Sequence, residues 1–164
     1  MISKPWENEP DDVIWLHDAS GYACQILRHP TQKYLCGYVT LPEDHPFHGI
    51  DYSDDIIIPE AIYKEIALED DWPPTKPKFI WHKTPTPLVT VSPERLLNAH
   101  GGITFSQEVK GQHVYGFDCG HSGDLSPVSL QFAVHGYVYR DWDYVTAETE
   151  RLAQQLYEIA SYKT

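Results

Sequence analysis

The chain has 164 residues, of which 41% are hydrophobic and 13% aromatic, which is enough to bury one substantial core and too much for a disordered chain. Its 24 acidic and 12 basic residues give a formal net charge of -12, so its field repels phosphate backbones and argues against direct binding of nucleic acid. We expect residues 1–164 to form a single domain.

The N-terminus has no apolar stretch typical of a secretory signal, and no later apolar run approaches the length of a membrane span. We therefore expect a cytoplasmic protein without a membrane partner. Cys24, Cys36 and Cys119 are an odd number of cysteines, and in a reducing cytosol they are expected to be free thiols. A four-residue turn between their strands would point Cys24 and Cys36 to opposite faces of the sheet, whereas a turn of three or five residues would place them opposite each other.

Residues 1–18 are rich in proline and acidic residues, and they predict an arm that lies over the domain. Residues 21–28 and 33–41 are rich in tyrosine, isoleucine, valine and leucine. The turn-forming segment 29–32 lies between them, so together they predict a β-hairpin.

The loop after this hairpin carries His45 and His48 among prolines that keep the backbone extended. Residues 59–68 predict a short helix. The stretches 69–78 and 84–87 contain five prolines between them and predict a long surface connection, suited to a lid or a partner-binding loop.

A second hairpin is predicted further along the chain. Residues 103–106 and 113–117 read as its strands, and the polar segment 107–112 reads as its turn. The predicted register places Ser106 opposite His113.

An alternation of apolar and polar residues over 130–139 predicts a further strand. After it, residues 141–161 predict a C-terminal helix that begins at Asp141 or Asp143 as its N-cap. Its apolar stripe consists of Val145, Thr149, Leu152, Ala153, Leu156, Ile159 and Ala160. These elements predict an α+β fold, a mainly antiparallel sheet packed by the C-terminal α-helix, with long proline-rich loops.

Histidine, cysteine, aspartate and glycine are concentrated at the inner end of the second hairpin. The two motifs there are His100-Gly-Gly-Ile-Thr-Phe-Ser106 and Gly116-Phe-Asp-Cys-Gly-His-Ser-Gly-Asp124. Any register near the predicted one brings His100 against Cys119 and its neighbours, with Asp124 just beyond. We expect the functional site at this end of the hairpin.

Four interpretations of this polar cluster are compatible with the sequence. In the first, His100, Cys119 and His121 bind a divalent metal such as zinc, and Asp124 or a loop histidine completes the site or leaves a position for water. In the second, Cys119 is a catalytic nucleophile, with His100 or His121 as the base and Asp118 or Asp124 as the residue that orients it.

In the third interpretation the cluster binds an anionic ligand without turnover, because glycines let a ligand approach backbone N–H groups closely. The ligand-binding residues would be His45, His48, Gly101, Gly102, Gly120, Gly123 and Asp124. In the fourth the cluster is structural: its polar side chains cap turns, its glycines form bulges, and its cysteine packs as a small hydrophobe.

The acidic residues form short clusters that are typical of solvated faces. The clusters are Asp11-Asp12, Asp54-Asp55 and Glu69-Asp-Asp71. A second interpretation is a negatively charged surface that mimics nucleic acid or docks on a basic host protein.

Five motifs follow one another along about three quarters of the chain. They are Cys36-Gly-Tyr-Val-Thr-Leu-Pro42, His45-Pro-Phe-His-Gly49, His100-Gly-Gly-Ile-Thr-Phe105, the segment 116–124, and Tyr144-Val with a helix ending in Leu152-Ala-Gln-Gln-Leu156. Their order resembles that of an uncharacterised family of bacteriophage and prophage proteins. The resemblance implies a small phage accessory protein in the cytoplasm of the infected bacterium, and it assigns no reaction or ligand.

We therefore predict a phage accessory protein whose hairpin-end pocket binds, with or without hydrolysis, a small nucleotide-like or similarly polar host metabolite. An anti-defence role would suit the phage context. The alternative is an acidic protein that inhibits a host or defence enzyme by binding to it, with a purely structural polar cluster.

Overall fold

The computed structural model describes residues 4–60, 63 and 87–162 of the chain. The strands are β1 (Asp12–Leu16), β2 (Ala23–Arg28), β3 (Leu35–Leu41), β4 (Ile56–Pro59), β5 (Leu88–Val91), β6 (Phe105–Val109) and β7 (Gln112–Asp118). Five of them form an antiparallel sheet in the order β1-β2-β3-β7-β6, and β4 pairs with β5 in a separate ribbon. The C-terminal helix, α1 (Trp142–Ala160), packs on β2 and β3, which confirms the predicted α+β fold.

The N-cap of α1 is Asp141, one of the two predicted residues, and its side chain accepts a hydrogen bond from the Tyr144 N–H at 2.9 Å. The predicted apolar stripe is buried except for Ala160, which is partly exposed. Gln155 is also buried, because its side-chain amide exchanges two hydrogen bonds with the backbone of Asn98, at 2.6 and 2.7 Å.

The core lies between α1 and one face of the five-stranded sheet. The side chains of this face include Ile26, Val39, Tyr115 and Phe117, all at most 1% exposed. Gly37 lies on the same face, where a Cβ atom would lie 2.2 Å from Thr149 Oγ1 of the helix. The missing side chain therefore lets α1 approach the sheet closely.

The second hairpin exists, but its predicted register is wrong by two residues. Ser106 pairs with Tyr115 rather than with His113, and the turn contains only Lys110 and Gly111. Both turn residues have positive φ, 52° and 80°, which matches the twist of the flanking strands and lets pairing extend to the turn. A shift of two residues leaves every side chain on its predicted face.

The predicted strand over 130–139 is wrong. Leu130–His135 forms a 3-10 helix that Gly136 ends in a left-handed conformation, and Val138 makes an isolated bridge to Asp124. Val134 is 84% exposed, so the alternating pattern does not correspond to a buried sheet face.

The predicted N-terminal arm is attached to the domain in two ways. Its residues 12–16 form β1, the edge strand next to β2. Before them, the Glu9 carboxylate accepts hydrogen bonds from the Trp142 N–H at 2.7 Å, the Tyr139 hydroxyl at 2.6 Å and the Arg28 guanidinium at 3.2 Å. Glu9 thereby holds the segment against the first turn of α1.

The remaining sequence predictions have mixed outcomes. Pro59 ends β4, and the predicted helix 59–68 and the proline-rich connection lie almost entirely outside the described residues. Cys24 pairs with Val39 and Cys36 with Leu27, so the two cysteines lie on opposite faces of the sheet. All three cysteines are free, as predicted. In the described part of the chain, every helix is too short or too polar to cross a membrane.

Candidate functional site

The two polar motifs meet at the inner end of the β6–β7 hairpin, and Asp124 lies at their centre. Its carboxylate accepts hydrogen bonds from His100 Nε2 at 2.8 and 2.9 Å, from Arg140 Nε at 2.9 Å and from the His121 N–H at 3.0 Å. The Asp124 side chain is 1% exposed. This carboxylate therefore joins three segments: the loop before β6, the loop after β7 and the residues that precede α1.

The donors around Asp124 determine its charge. Burial by itself would raise the pKa of the Asp124 carboxyl, but the hydrogen bonds from Arg140, His100 and the His121 N–H outweigh it and hold this pKa below its ordinary value. Asp124 is therefore ionised at neutral pH and acts as the counter-ion of Arg140.

The hydrogen-bond chain continues from Asp124 through His100 to Tyr144. Because a carboxylate only accepts, Nε2 of His100 carries a proton, and in the neutral ring Nδ1 accepts from the Tyr144 hydroxyl at 2.7 Å. The Arg140 guanidinium lies 5.1 Å from the centre of the Tyr144 ring. The sequence prediction gave no role to Arg140 or Tyr144. One signal could have identified Arg140, because a buried carboxylate needs a cation and Arg140 directly precedes the predicted helix.

Asp118 and His121 form the partly exposed side of the cluster. Asp118 accepts hydrogen bonds from the Thr104 hydroxyl at 2.8 Å and from the Gly120 N–H at 2.9 Å. His121 Nε2 lies 3.3 Å from Asp118 Oδ1 but is a buried atom without a hydrogen bond. The Asp118 side chain is 27% exposed and the His121 side chain is 32% exposed. His121 thus has an unused polar atom beside a carboxylate.

Two glycines of the cluster, Gly101 and Gly120, make room for aromatic rings, whereas Gly102 and Gly123 have open space where a Cβ atom would lie. A Cβ atom on Gly101 would lie 2.2 Å from the His121 ring, and one on Gly120 would lie 2.6 Å from the Tyr34 ring. The N–H of Gly102 donates a hydrogen bond to Ala99 O at 2.8 Å, and the N–H of Gly120 donates one to Asp118 at 2.9 Å. The carbonyl of Gly123 accepts a hydrogen bond from the Val138 N–H at 2.9 Å. The N–H groups of Gly102 and Gly120 are therefore bonded within the chain, and the binding of an anion by the glycine N–H groups stays a prediction.

Cys119 has the environment of a core residue. It is 2% exposed and belongs to the hydrophobic core, and its N–H donates to Leu35 O at 3.1 Å. Burial, and then the charge of Asp124, raise the pKa of the Cys119 thiol, so the thiol is protonated at neutral pH. A catalytic role for Cys119 stays a prediction that its surroundings do not favour.

The predicted metal ligands are not assembled. Within residues 4–60, 63 and 87–162, no group of three or more His, Cys, Asp or Glu side chains is arranged to hold a metal ion. Cys119 packs in the core, whereas His100 is hydrogen bonded to Asp124 and Tyr144.

His45 and His48 lie at the other end of α1. His45 Nδ1 accepts from the Phe47 N–H at 2.9 Å, and its Nε2 donates to Leu156 O at 2.8 Å. Leu156 and Tyr144 are roughly 18 Å apart along the helix, at 1.5 Å per residue. His45 and the hairpin end therefore do not share one pocket.

His48 lies beside His113, which the sequence prediction treated only as a strand residue. Their ring centroids are 5.9 Å apart, and the pKa of His113 is lowered by burial and by the nearby His48. His113 Nδ1 accepts from the Gly49 N–H at 3.2 Å, so its Nε2 is the donor to Ser106 Oγ at 2.9 Å. The nitrogen that faces the serine is thus not free to act as a base.

No family model, curated protein or solved structure matches this chain. The resemblance to a bacteriophage family stays a prediction based on the order of the motifs.

A second candidate site, missed by the sequence prediction, is the face of the five-stranded sheet that points away from α1, here called the open face. It carries two adjoining cavities of about 300 and 210 Å³, both lined by Gln25, Val109 and Val114. The larger is also lined by Leu27, Tyr38 and Phe105, and the smaller by Ile14, Ala23, Cys24, Thr40, Lys110 and Gln112.

The open face is largely apolar and accessible. Ile14 and Leu16 of β1 are 65% and 67% exposed, and Val109 of β6 is 43% exposed. Extended apolar surface of this kind is typical of a site where another molecule binds. Strand periodicity could have grouped these side chains on one face, but it could not say which face α1 covers.

Proposed function

We propose that this protein is an acidic protein-binding module that docks on a basic partner protein through the open face. The observation that carries this proposal is the pair of adjoining, largely apolar cavities on an accessible sheet face, in a chain of net charge -12. Binding surfaces combine an apolar centre with electrostatic complementarity, which raises the association rate and selects the partner.

The geometry of the polar cluster favours the same proposal. The Asp124 carboxylate is filled by donors from its own chain, and Cys119 is a buried, protonated thiol. Such a network fixes loops rather than receiving a ligand, which corresponds to the structural interpretation of the cluster. The resemblance to bacteriophage proteins makes a bacterial host enzyme the partner that this proposal expects, and inhibition of that enzyme the expected effect.

A matched pair of valine substitutions tests the proposal. Val109→Asp places a carboxylate between the two cavities, whereas Val134→Asp makes the same change on the exposed 3-10 helix. We expect a partner retained from bacterial lysate by the immobilised wild type, and by Val134→Asp, to be lost with Val109→Asp. The partner is identified by mass spectrometry and its affinity is then measured with the purified protein.

Both positions are exposed, so both variants should fold like the wild type. Circular dichroism checks this before the binding experiment. Binding should also weaken as the ionic strength rises, because the partner is basic. Equal retention by the two variants, or binding insensitive to salt, would contradict docking of a basic partner on the open face.

A second candidate is the binding of a small polar or nucleotide-like ligand at Asp118 and His121. It is favoured by one observation, the buried His121 Nε2 that has no hydrogen bond and lies 3.3 Å from Asp118. Unused polar atoms at such a position are costly unless a ligand or water satisfies them.

Thermal shift with adenosine monophosphate, guanosine monophosphate and inorganic phosphate tests the second candidate. We expect a rise in melting temperature for the wild type, and for the exposed control variant His135→Ala, but none for His121→Ala. No shift in the wild type at millimolar ligand would remove this candidate.

A further inference from the structure

We infer that the open face recognises an extended partner segment in which a large apolar side chain and a lysine or arginine are two residues apart. The inference rests on the proposed function, because it names the chemistry of the partner at the same surface. It has two parts, an apolar anchor in the larger cavity and a cation beside the carboxylates at one end of that cavity.

The larger cavity fits an apolar anchor because aromatic rings form its wall. The rings of Tyr38 and Phe105 meet edge to face, with centroids 5.3 Å apart and an interplanar angle of 84°. Gly116 lies between them, paired with Tyr38 on one side and with Phe105 on the other. A Cβ atom on Gly116 would lie 2.4 Å from the Tyr38 ring, so the glycine allows the tyrosine to lie across β7.

The aliphatic side chains of Leu27 and Val114 complete the lining together with Val109 and the aliphatic part of Gln25. At about 300 Å³ the cavity has the size and composition that suit an aromatic or large aliphatic side chain. Buried aromatic anchors of this kind contribute most of the affinity at protein interfaces.

Two carboxylates lie just beyond the lining of this cavity, in the row of paired residues Asp12, Leu27, Cys36 and Asp118 that crosses the sheet. Asp118 is two residues from Gly116 on β7 and therefore projects from the same face, and Asp12 of β1 pairs with Leu27. Asp12 accepts a hydrogen bond from Gln25 Nε2 at 2.8 Å, and Asp118 accepts from neutral donors, with His121 3.3 Å away. Neither carboxylate has a lysine or arginine ion pair among the described residues.

The far end of the two adjoining cavities carries a positive charge instead. Lys110 lines the smaller cavity there, beside Gln112 and Thr40. The partner's cation is therefore directed to the end with Asp12 and Asp118. Alternate residues of an extended segment lie about 6.6 Å apart on one side, which is the spacing between Gly116 and Asp118 in the sheet.

Charge also argues against a second copy of this chain as the occupant. Each copy has a net charge of -12, so two copies in contact would repel each other. A basic segment of another protein removes that repulsion and brings a counter-ion to Asp12 and Asp118.

The test uses three synthetic peptides with the full chain, at low salt, followed by changes in backbone amide NMR signals. The lysine peptide has the sequence GSKGWGKSG, the charge control is GSEGWGESG, and the anchor control is GSKGAGKSG. We expect the lysine peptide to shift signals of Leu27, Tyr38, Phe105 and Val114. The charge control should bind about tenfold more weakly, and the anchor control about 30-fold more weakly.

Charge reversal in the protein provides the matched comparison. Asp12→Lys is expected to reverse the preference, so that GSEGWGESG binds more tightly than GSKGWGKSG. Glu43→Lys makes the same change of charge in the loop after β3 and should leave the preference as in the wild type. Both positions are exposed, so neither substitution disturbs the core.

The outcomes separate this inference from the proposed function. If the lysine and glutamate peptides bind the open face equally, the charge rule is wrong while docking on the face stands. If no peptide shifts these signals at millimolar concentration, the inference is wrong. If Val109→Asp also still retains the partner, the proposed function is wrong as well. Concentration-dependent dimerisation through the face, or nuclear Overhauser contacts from Tyr38 to residues 64–86 of the same chain, would also overturn the inference.

Discussion

Asp124→Asn is expected to lower the free energy of unfolding by about 3 kcal/mol at neutral pH, because removing one partner of a buried ion pair leaves the other uncompensated. Asparagine keeps the size of the side chain but loses the charge that faces Arg140 and His100. For a chain of this length the melting temperature should fall by about 2–4 °C for each kcal/mol. Urea unfolding followed by circular dichroism measures the change.

Asp118→Asn is the matched control for this prediction. Asp118 lies at the same end of the hairpin, but its side chain is 27% exposed, so the same substitution should cost less than about 1 kcal/mol. Equal losses for the two variants would show that Asp124 is not the centre of the network.

The effect of Asp124→Asn should also depend on pH. The pKa of Asp124 is lower in the folded state than in the unfolded chain, where it is about 3.9, so the unfolded state binds the proton more readily as the pH falls. The stability that Asp124 contributes is therefore complete above the unfolded pKa and is lost as the pH falls through the lower folded pKa. Wild type and Asp124→Asn should differ most at neutral pH, begin to converge at about pH 4 and become alike only below the folded pKa of Asp124.

Gly37→Ala is expected to destabilise the protein by about 3 kcal/mol, because the core has no room for one more carbon. The added Cβ atom would lie 2.2 Å from Thr149 Oγ1 and 2.6 Å from two carbons of the Phe117 ring. Either α1 moves away from the sheet or these side chains leave their rotamers. Denaturant unfolding at constant m-value is the measurement.

The double variant Gly37→Ala with Thr149→Ala tests the cause. Removing Oγ1 takes away the nearest atom, so the double variant should be more stable than the sum of the two single losses predicts, by about 1 kcal/mol. Strict additivity would place the strain elsewhere, at Phe117 or in the backbone of β3.

Local pattern explains the parts of the fold that were predictable. The apolar stripe of α1 and its N-cap Asp141 depend on residues three or four positions apart, so they can be identified without the rest of the molecule. The segment 130–139 shows the limit of the same method. Alternation is necessary for a half-buried strand but is not sufficient. Without a partner strand to pair with, this segment forms a 3-10 helix that Gly136 ends.

The polar cluster was located correctly but its contacts were not predictable. A hairpin register shifted by two residues keeps every side chain on its face, so the two motifs still meet. Which atoms bond depends on the loop after β7 and on the first turn of α1, which bring Arg140 and Tyr144 to Asp124 and His100. These contacts join residues far apart in the chain and depend on how the elements pack.

The sequence by itself determined the α+β class, the acidic charge and the convergence of the two polar motifs, because composition and short-range periodicity encode them. Only the tertiary structure decided that the polar groups of the cluster bond to one another and that Cys119 packs in the core. It also placed His45 and His48 away from the hairpin end, with His45 at the far end of α1. It also decided which sheet face is open, because a strand exposes two equivalent faces until the helix packs on one of them.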